Sequence, residues 1–237
     1  MKFLFAFLSV LMLSSVSTFT TAQDLSGAWK IKGSENHLLF VQDGYFSWTE
    51  TNSNKEFVNT MGGRVTVSDN YLNLKIEFNA EDRYMVGDSY SVRYKLTGDN
   101  LEIQHPEGYN MDWVRIEEED QGLAGLWRIT GRETDGKMNE IGRSPRVTYK
   151  LLTPGHFQWM AINTSTGEFF GTGGGTYTFQ NGKYTEHIGF FSRDNSRVGM
   201  SLSFDGELKD GQWHHSGKSS VGDPIYEIWS REDFDAE

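Results

Sequence analysis

The chain of 237 residues contains no cysteine. Small exported domains commonly rely on disulfides where the hydrophobic core is modest, so this chain must depend on packing instead. The same absence excludes a thiol nucleophile and a lipoprotein anchor, because both need a cysteine sulfur.

Basic residues are also scarce. Lysine and arginine total 22 against 33 aspartate and glutamate residues, which gives a formal net charge of −11 at pH 7. Nucleic acids and anionic lipid surfaces repel a chain of this charge. We therefore predict that neither is a partner.

A long apolar run occurs only at the N-terminus. Residues 1–22, MKFLFAFLSVLMLSSVSTFTTA, carry Lys2, then an apolar stretch, then small residues up to Ala22. A membrane anchor is the alternative, but a spanning helix needs ~20 apolar residues and this stretch is shorter. The pattern predicts a cleaved signal peptide over 1–22, and hence a secreted or periplasmic protein without a membrane span.

The rest of the chain consists of two similar halves. DLSGAWKIKG at 24–33 reappears as GLAGLWRITG at 122–131, and DWVRI at 112–116 corresponds to EIWSR at 227–231. Between these segments Phe78 aligns with Phe190 and Gly87 with Gly199, an offset of 112 positions. The repeat predicts two homologous domains, an N-terminal one at 23–118 and a C-terminal one at 119–237.

Each half has the pattern of β-strands. YLNLKIEF at 71–78 and SYSVRYKL at 89–96 alternate apolar residues with period two, and DG, DN, NG and GD turn signals separate such runs. No stripe of helical period stands out after residue 22. We expect an all-β protein in which each half forms an antiparallel up-and-down barrel of about eight strands.

The glycine-rich segment GTGGG at 171–175 has two interpretations. A phosphate-binding loop would be followed by a helix, whereas the sequence that follows alternates with period two. The first half carries NTMGG at 59–63 in the corresponding place. Two copies at one point of a repeat favour a tight bend or β-bulge.

A family resemblance rests on two features that each half shares. Each half begins with G-x-W, at Gly27 to Trp29 and at Gly125 to Trp127, and ends with an arginine on its last strand, Arg115 or Arg231. This pattern resembles that of lipocalins and other calycins. Through HFQW at 156–159, GGTYTF at 174–179 and YTEHI at 184–188, the second half is also similar to lipocalin-like domains of bacterial secreted proteins of unknown function. The resemblance implies that each tryptophan plugs a barrel floor beneath its arginine. It also implies a carrier of small apolar molecules.

Comparison of the halves points to a candidate site. The apolar series Leu72, Leu74, Ile76, Phe78 becomes Tyr184, Glu186, Ile188, Phe190 in the second half. A carboxylate inside a barrel is costly unless it is paired, which makes Glu186 the main functional candidate. The predicted ligand-binding residues in the C-terminal barrel are Glu186, Tyr184, His215, Trp159, Tyr177, Phe179 and Met200.

Two alternatives stay open for Glu186: it pairs with Arg197, or it faces solvent. Adjacent His214 and His215 point to opposite faces of a strand and lack metal-ligand spacing, so neither a metal nor another cofactor is predicted.

The favoured function is a binder of a small apolar or amphipathic ligand. The alternatives are a hydratase, isomerase or cyclase that uses Glu186 as acid or base, and an interaction module that works through the barrel exteriors.

Overall fold

The computed structural model describes residues 24–105, 107–116 and 118–234. The predicted signal peptide at 1–22 therefore lies outside the described residues. None of the helical segments that are described is long and apolar enough to cross a membrane.

The first half forms a closed antiparallel barrel in which consecutive strands pair and the last strand returns to the first. Its strands are β1 (Gly27–Ile31), β2 (His37–Gln42), β3 (Tyr45–Thr51), β4 (Phe57–Ser68), β5 (Tyr71–Asn79), β6 (Ser89–Thr97), β7 (Asn100–Gln104) and β8 (Asn110–Ile116). A single 3₁₀ turn, Arg83–Met85, precedes β6.

The second half repeats this topology with one addition. Its strands are β9 (Gly125–Thr134), β10 (Lys137–Glu140), β11 (Arg146–Thr153), β12 (His156–Asn163), β13 (Glu168–Gln180), β14 (Lys183–Phe191), β15 (Ser201–Lys209), β16 (Gln212–Lys218) and β17 (Pro224–Arg231). Strand β17 pairs with β9 and closes the barrel. Strand β10 pairs with the C-terminal part of β9, residues 131–134. The fold prediction of two eight-stranded antiparallel barrels is confirmed, and β10 is an addition that the sequence did not indicate.

The two tryptophans of the G-x-W motifs plug their barrels as the resemblance implied. Trp29 and Trp127 are buried, and their indole N–H groups donate to the carbonyls of Leu25 and Leu123 at 3.0 and 2.9 Å. The guanidinium of Arg115 lies 4.1 Å from the Trp29 ring centroid, and that of Arg231 lies 4.3 Å from the Trp127 ring centroid. Each barrel is thus closed at one end by a cation–π pair.

The glycine-rich segments form β-bulges. The pairing of β13 with β14 shifts between Gly174 and Gly175, and that of β4 with β5 shifts between Gly62 and Gly63. Both second glycines have positive φ, +155° and +157°. The prediction of a bulge is confirmed, and a strand rather than a helix follows each one.

The barrels pack against each other through the outer faces of β2 to β5 and β11 to β13. Gln158 is buried at this interface and accepts hydrogen bonds from Ser47 and Thr49 at 2.7 and 3.2 Å. Its amide donates to Thr60 and Thr172 at 3.1 Å each. An apolar cluster surrounds this network, with members from both barrels: Ala28, Phe40, Tyr45, Phe78, Leu126, Tyr149, Leu151, Met160 and Ile162.

The interface is close to two-fold symmetric. Ser47 and Gln158 occupy equivalent places in the repeat and contact each other, as do Phe57 and Phe169, whose rings stack with centroids 6.5 Å apart. Contact between equivalent residues is the mark of an isologous interface. The two halves of this chain are therefore arranged like the subunits of a two-fold dimer.

Candidate functional site

The candidate site is the interior of the C-terminal barrel, where an ion pair is buried. Lys150 on β11 and Glu186 on β14 meet at 2.7 Å, and only 5% and 6% of their side-chain surfaces are exposed. The Lys150 ammonium lies 5.1 to 5.9 Å from the centroids of four rings, those of Phe157, Tyr184, Trp213 and Trp229. Aromatic faces thus enclose a cation that is paired, among the described residues, with the carboxylate of Glu186.

A second polar pair lies beside the first. His215 is buried on β16, and its Nδ1 is 3.6 Å from Oε2 of Glu227 on β17. Glu227 accepts a 2.7 Å hydrogen bond from Arg132, whose side chain is half exposed, and a 3.2 Å bond from the Trp229 indole. Three of the four ionisable side chains in these two contacts are buried, those of Lys150, Glu186 and Glu227, while Arg132 reaches Glu227 from the surface.

Burial and charge set the protonation states here. Burial lowers the pKa of His215, so its ring is neutral. Burial alone would raise the pKa of Glu227, but His215, Arg132 and Lys150 lower it to about 2. The Arg132 guanidinium, 2.7 Å from Glu227, contributes to this lowering and keeps the carboxylate ionised. Burial and the nearby Glu186 raise the pKa of the Tyr184 phenol, which keeps its proton.

The polar group formed by Lys150, Glu186, His215 and Glu227 replaces apolar residues of the first barrel, as the strand pairing shows. Lys150 pairs with Trp127 and Trp159, as Leu39 pairs with Trp29 and Trp48. By the same comparison Glu186 corresponds to Leu74, His215 to Ile103 and Glu227 to Met111. One barrel has an apolar centre and its repeat has a connected polar one.

Several polar atoms of this interior have no hydrogen-bond partner among the described residues. They are the hydroxyls of Tyr177 and Tyr184, the indole nitrogen of Trp213 and both ring nitrogens of His215. Each of these side chains is at most 2% exposed. Buried polar atoms in native proteins are nearly always paired with protein groups or with ordered water, so these atoms mark the polar part of the barrel interior.

The predicted site residues are only partly brought together. Glu186, Tyr184, His215 and Tyr177 share the buried interior. Trp159 and Met200 are partly buried and pack on the same core nearer the end that holds the β12–β13, β14–β15 and β16–β17 connections. Phe179 lies at the opposite end, beside the β13–β14 turn, where its backbone N–H donates to Gln121. Phe179 and Met200 thus cannot line one compact pocket.

The predicted alternatives for Glu186 are not what the structure shows. Glu186 is buried rather than solvated, and its partner is Lys150. Arg197 instead pairs with Asp194 at 3.1 Å, beside the 3₁₀ turn Asn195–Arg197. Sequence reasoning did not identify Lys150 and Glu227 as site residues. Their alignment with Leu39 and Met111 could have done so, because it places a charged residue at an apolar position of the repeat. No group of three or more metal-ligating side chains occurs among the residues that the structure describes.

Comparison with known proteins gives a limited result. No protein-family model matches the chain, and no curated protein does. Among solved structures, it is similar to a lipocalin-like protein from Bacteroides uniformis ATCC 8492, with 14% sequence identity and a TM-score of 0.34. That match covers 46% of this chain and 98% of the other. Two closed eight-stranded barrels in one chain fit tandem lipocalin-like domains.

Proposed function

We propose that the C-terminal barrel binds a small amphipathic molecule, while the N-terminal barrel is mainly structural. The observation that carries this proposal is the polar group inside one barrel only. Its polar side chains stand where the other barrel has Leu39, Leu74, Ile103 and Met111. Buried charges cost stability relative to leucine, so their presence is best explained by a ligand that uses them.

The arrangement suggests how such a ligand is held. Partly buried apolar side chains lie toward the end of the barrel opposite the Trp127 plug: Trp159, Phe191, Met200, Leu202 and Ile225. These side chains suit the apolar part of a ligand. Tyr184 and His215 lie deeper and suit its hydrogen-bonding part. We also propose, from residues 1–22, that the protein acts outside the cytoplasm.

Titration with Nile red, an uncharged dye that carries a carbonyl acceptor, tests the proposal by fluorescence. We expect one dye per chain in the full-length protein and at least a tenfold loss of affinity in Lys150→Leu/Glu186→Leu, which copies the first barrel. The matched control is Leu39→Met/Leu74→Met, a volume-conserving change at the equivalent positions, which should bind as the wild type does. Absence of binding, or equal binding by the two variants, would overturn the proposal.

A further inference from the structure

A second candidate site lies outside both barrels, in an open cleft between them. Its volume is about 470 Å³, within the range of small-molecule sites. The first barrel contributes residues from the start of β4 and the segment after β5, and the second contributes residues from β13 and the segment after β14. None of the residues that line it belongs to the polar group around Lys150, although the Arg193 guanidinium lies 6.0 Å from the ring centroid of Trp159.

The walls of this cleft are equivalent in the repeat. The lining residues of the first barrel have counterparts 112 positions further on in the lining of the second, including Phe57 and Phe169, Val58 and Phe170, and Glu81 and Arg193. The Phe57 and Phe169 rings are nearly parallel, with an interplanar angle of 7°. The cleft thus lies on the approximate two-fold axis of the molecule.

The charges break this symmetry. Glu81 and Arg193 hold equivalent positions with opposite signs, and neither forms an ion pair within the described part of the chain. Each is nevertheless oriented by a neighbour: Glu81 accepts a 3.0 Å hydrogen bond from Asn59, and Arg193 Nε donates at 2.7 Å to the carbonyl of Phe170. Gly171 makes room for this arginine, because a Cβ there would lie 2.5 Å from Arg193 Nε.

We propose that this cleft binds a small zwitterion with an apolar side chain, the chemistry of a free apolar amino acid or a dipeptide. The carboxylate is held by the outer nitrogens of Arg193, the ammonium group by Glu81, and the side chain by the phenylalanine rings. A carboxylate and a guanidinium match in a bidentate manner, and apolar walls reduce the competition from water. A ligand that carries only a negative charge would be repelled by Glu81, and one that carries only a positive charge would be repelled by Arg193.

Isothermal titration calorimetry on the full chain tests this inference with L-phenylalanine and L-leucyl-L-phenylalanine as probes. We expect at least one of them to bind, and N-acetyl-L-phenylalanine amide, which lacks both charges, to bind at least tenfold more weakly. Glu81→Gln and Arg193→Gln should each weaken the zwitterion at least tenfold. The control Glu207→Gln removes an exposed carboxylate on β15 and should leave affinity unchanged.

The Lys150→Leu/Glu186→Leu variant separates this site from the barrel interior. We expect this variant to bind the zwitterion with the affinity of the wild type, although its affinity for Nile red falls. The two proposals can therefore fail independently. Three results would overturn the inference: no binding of either zwitterion, equal binding of the uncharged analogue, or loss of binding in the Lys150 and Glu186 variant but not in Glu81→Gln.

Discussion

At the scale of single residues, the buried pair of Lys150 and Glu186 is the least ordinary feature of the molecule. Taking two charges out of water costs several kcal/mol each, and their mutual attraction offsets this only while both are present. Since leucine occupies both equivalent positions in the first barrel, the fold itself does not require the pair. Its two members must therefore be treated as one unit.

The pair predicts an asymmetry between single and double substitutions. Glu186→Leu leaves Lys150 charged and buried without a partner, so we expect a loss of about 3–5 kcal/mol in the free energy of unfolding, and the same for Lys150→Leu. The double variant should be as stable as the wild type, or up to ~4 kcal/mol more stable. Urea unfolding of all four proteins measures this coupling. A Glu186→Leu protein as stable as the wild type would mean that Lys150 has another route to solvent or to a partner.

At the scale of elements, the bulge glycines decide whether β4 and β13 can bend. A Cβ at Gly175 would lie 2.0 Å from the carbonyl oxygen of His187, and one at Gly63 would lie 1.9 Å from that of Lys75. Both contacts are to backbone atoms, which cannot move aside without breaking the strand pairing. The glycines are thus required by the close approach of neighbouring strands.

We expect Gly175→Ala to destabilise the protein by about 3 kcal/mol, because both the positive φ and the backbone contact oppose a side chain. The matched control is Gly142→Ala, since a Cβ there meets nothing within 4 Å and its φ is not in the left-handed region. That change should be neutral or slightly stabilising. Thermal melts compare the two. Equal melting temperatures would show that the bulge relaxes easily.

The strands and bulges could be predicted because their signals are local. Alternation in 71–78 and 89–96 gave β5 and β6, and two aligned copies of the glycines gave the bulges. The strand β10 has no counterpart in the first half and is mostly exposed, so neither repeat nor alternation indicated it. The partner of Glu186 could not be predicted from neighbouring sequence or from an adjacent strand, because β11 and β14 are separated by two strands in the barrel wall. Which side chains meet across the interior depends on the closure of the barrel.

At the scale of the whole molecule, the barrels share a buried interface, and we therefore expect them to unfold together. Each half carries its own tryptophan plug, and the outer apolar faces of the two halves cover each other. Gln158 at the centre has its hydrogen bonds satisfied across the interface by Ser47, Thr49 and Thr60. Separation of the barrels would expose this cluster and leave the amide to water.

His156 gives this interface a dependence on pH. It is the repeat counterpart of Tyr45, it is 7% exposed, and its ring lies 5.8 Å from that of Phe40 on the other barrel. Its Nδ1 is 3.4 Å from the Glu118 carboxylate, but burial dominates and lowers the pKa of His156 from 6.5 to about 4. The folded protein therefore keeps this histidine neutral at a pH where the unfolded chain would protonate it.

The sign of the effect follows from this difference. Above pH 6.5 both states are neutral at this position, and stability does not change with its titration. As the pH falls from 6.5 toward 4 the unfolded state binds the extra proton, so the free energy of unfolding decreases, by about 3 kcal/mol once the pH is below 4. His156→Gln removes the titrating group and should flatten this part of the profile. Urea unfolding between pH 7 and pH 4 measures the free energy of unfolding of both proteins. His187→Gln, at an exposed position on β14, is the control for the substitution itself. If His156→Gln loses as much stability over that range as the wild type, the decrease arises from other groups and the interface is not the pH-sensitive part of the molecule.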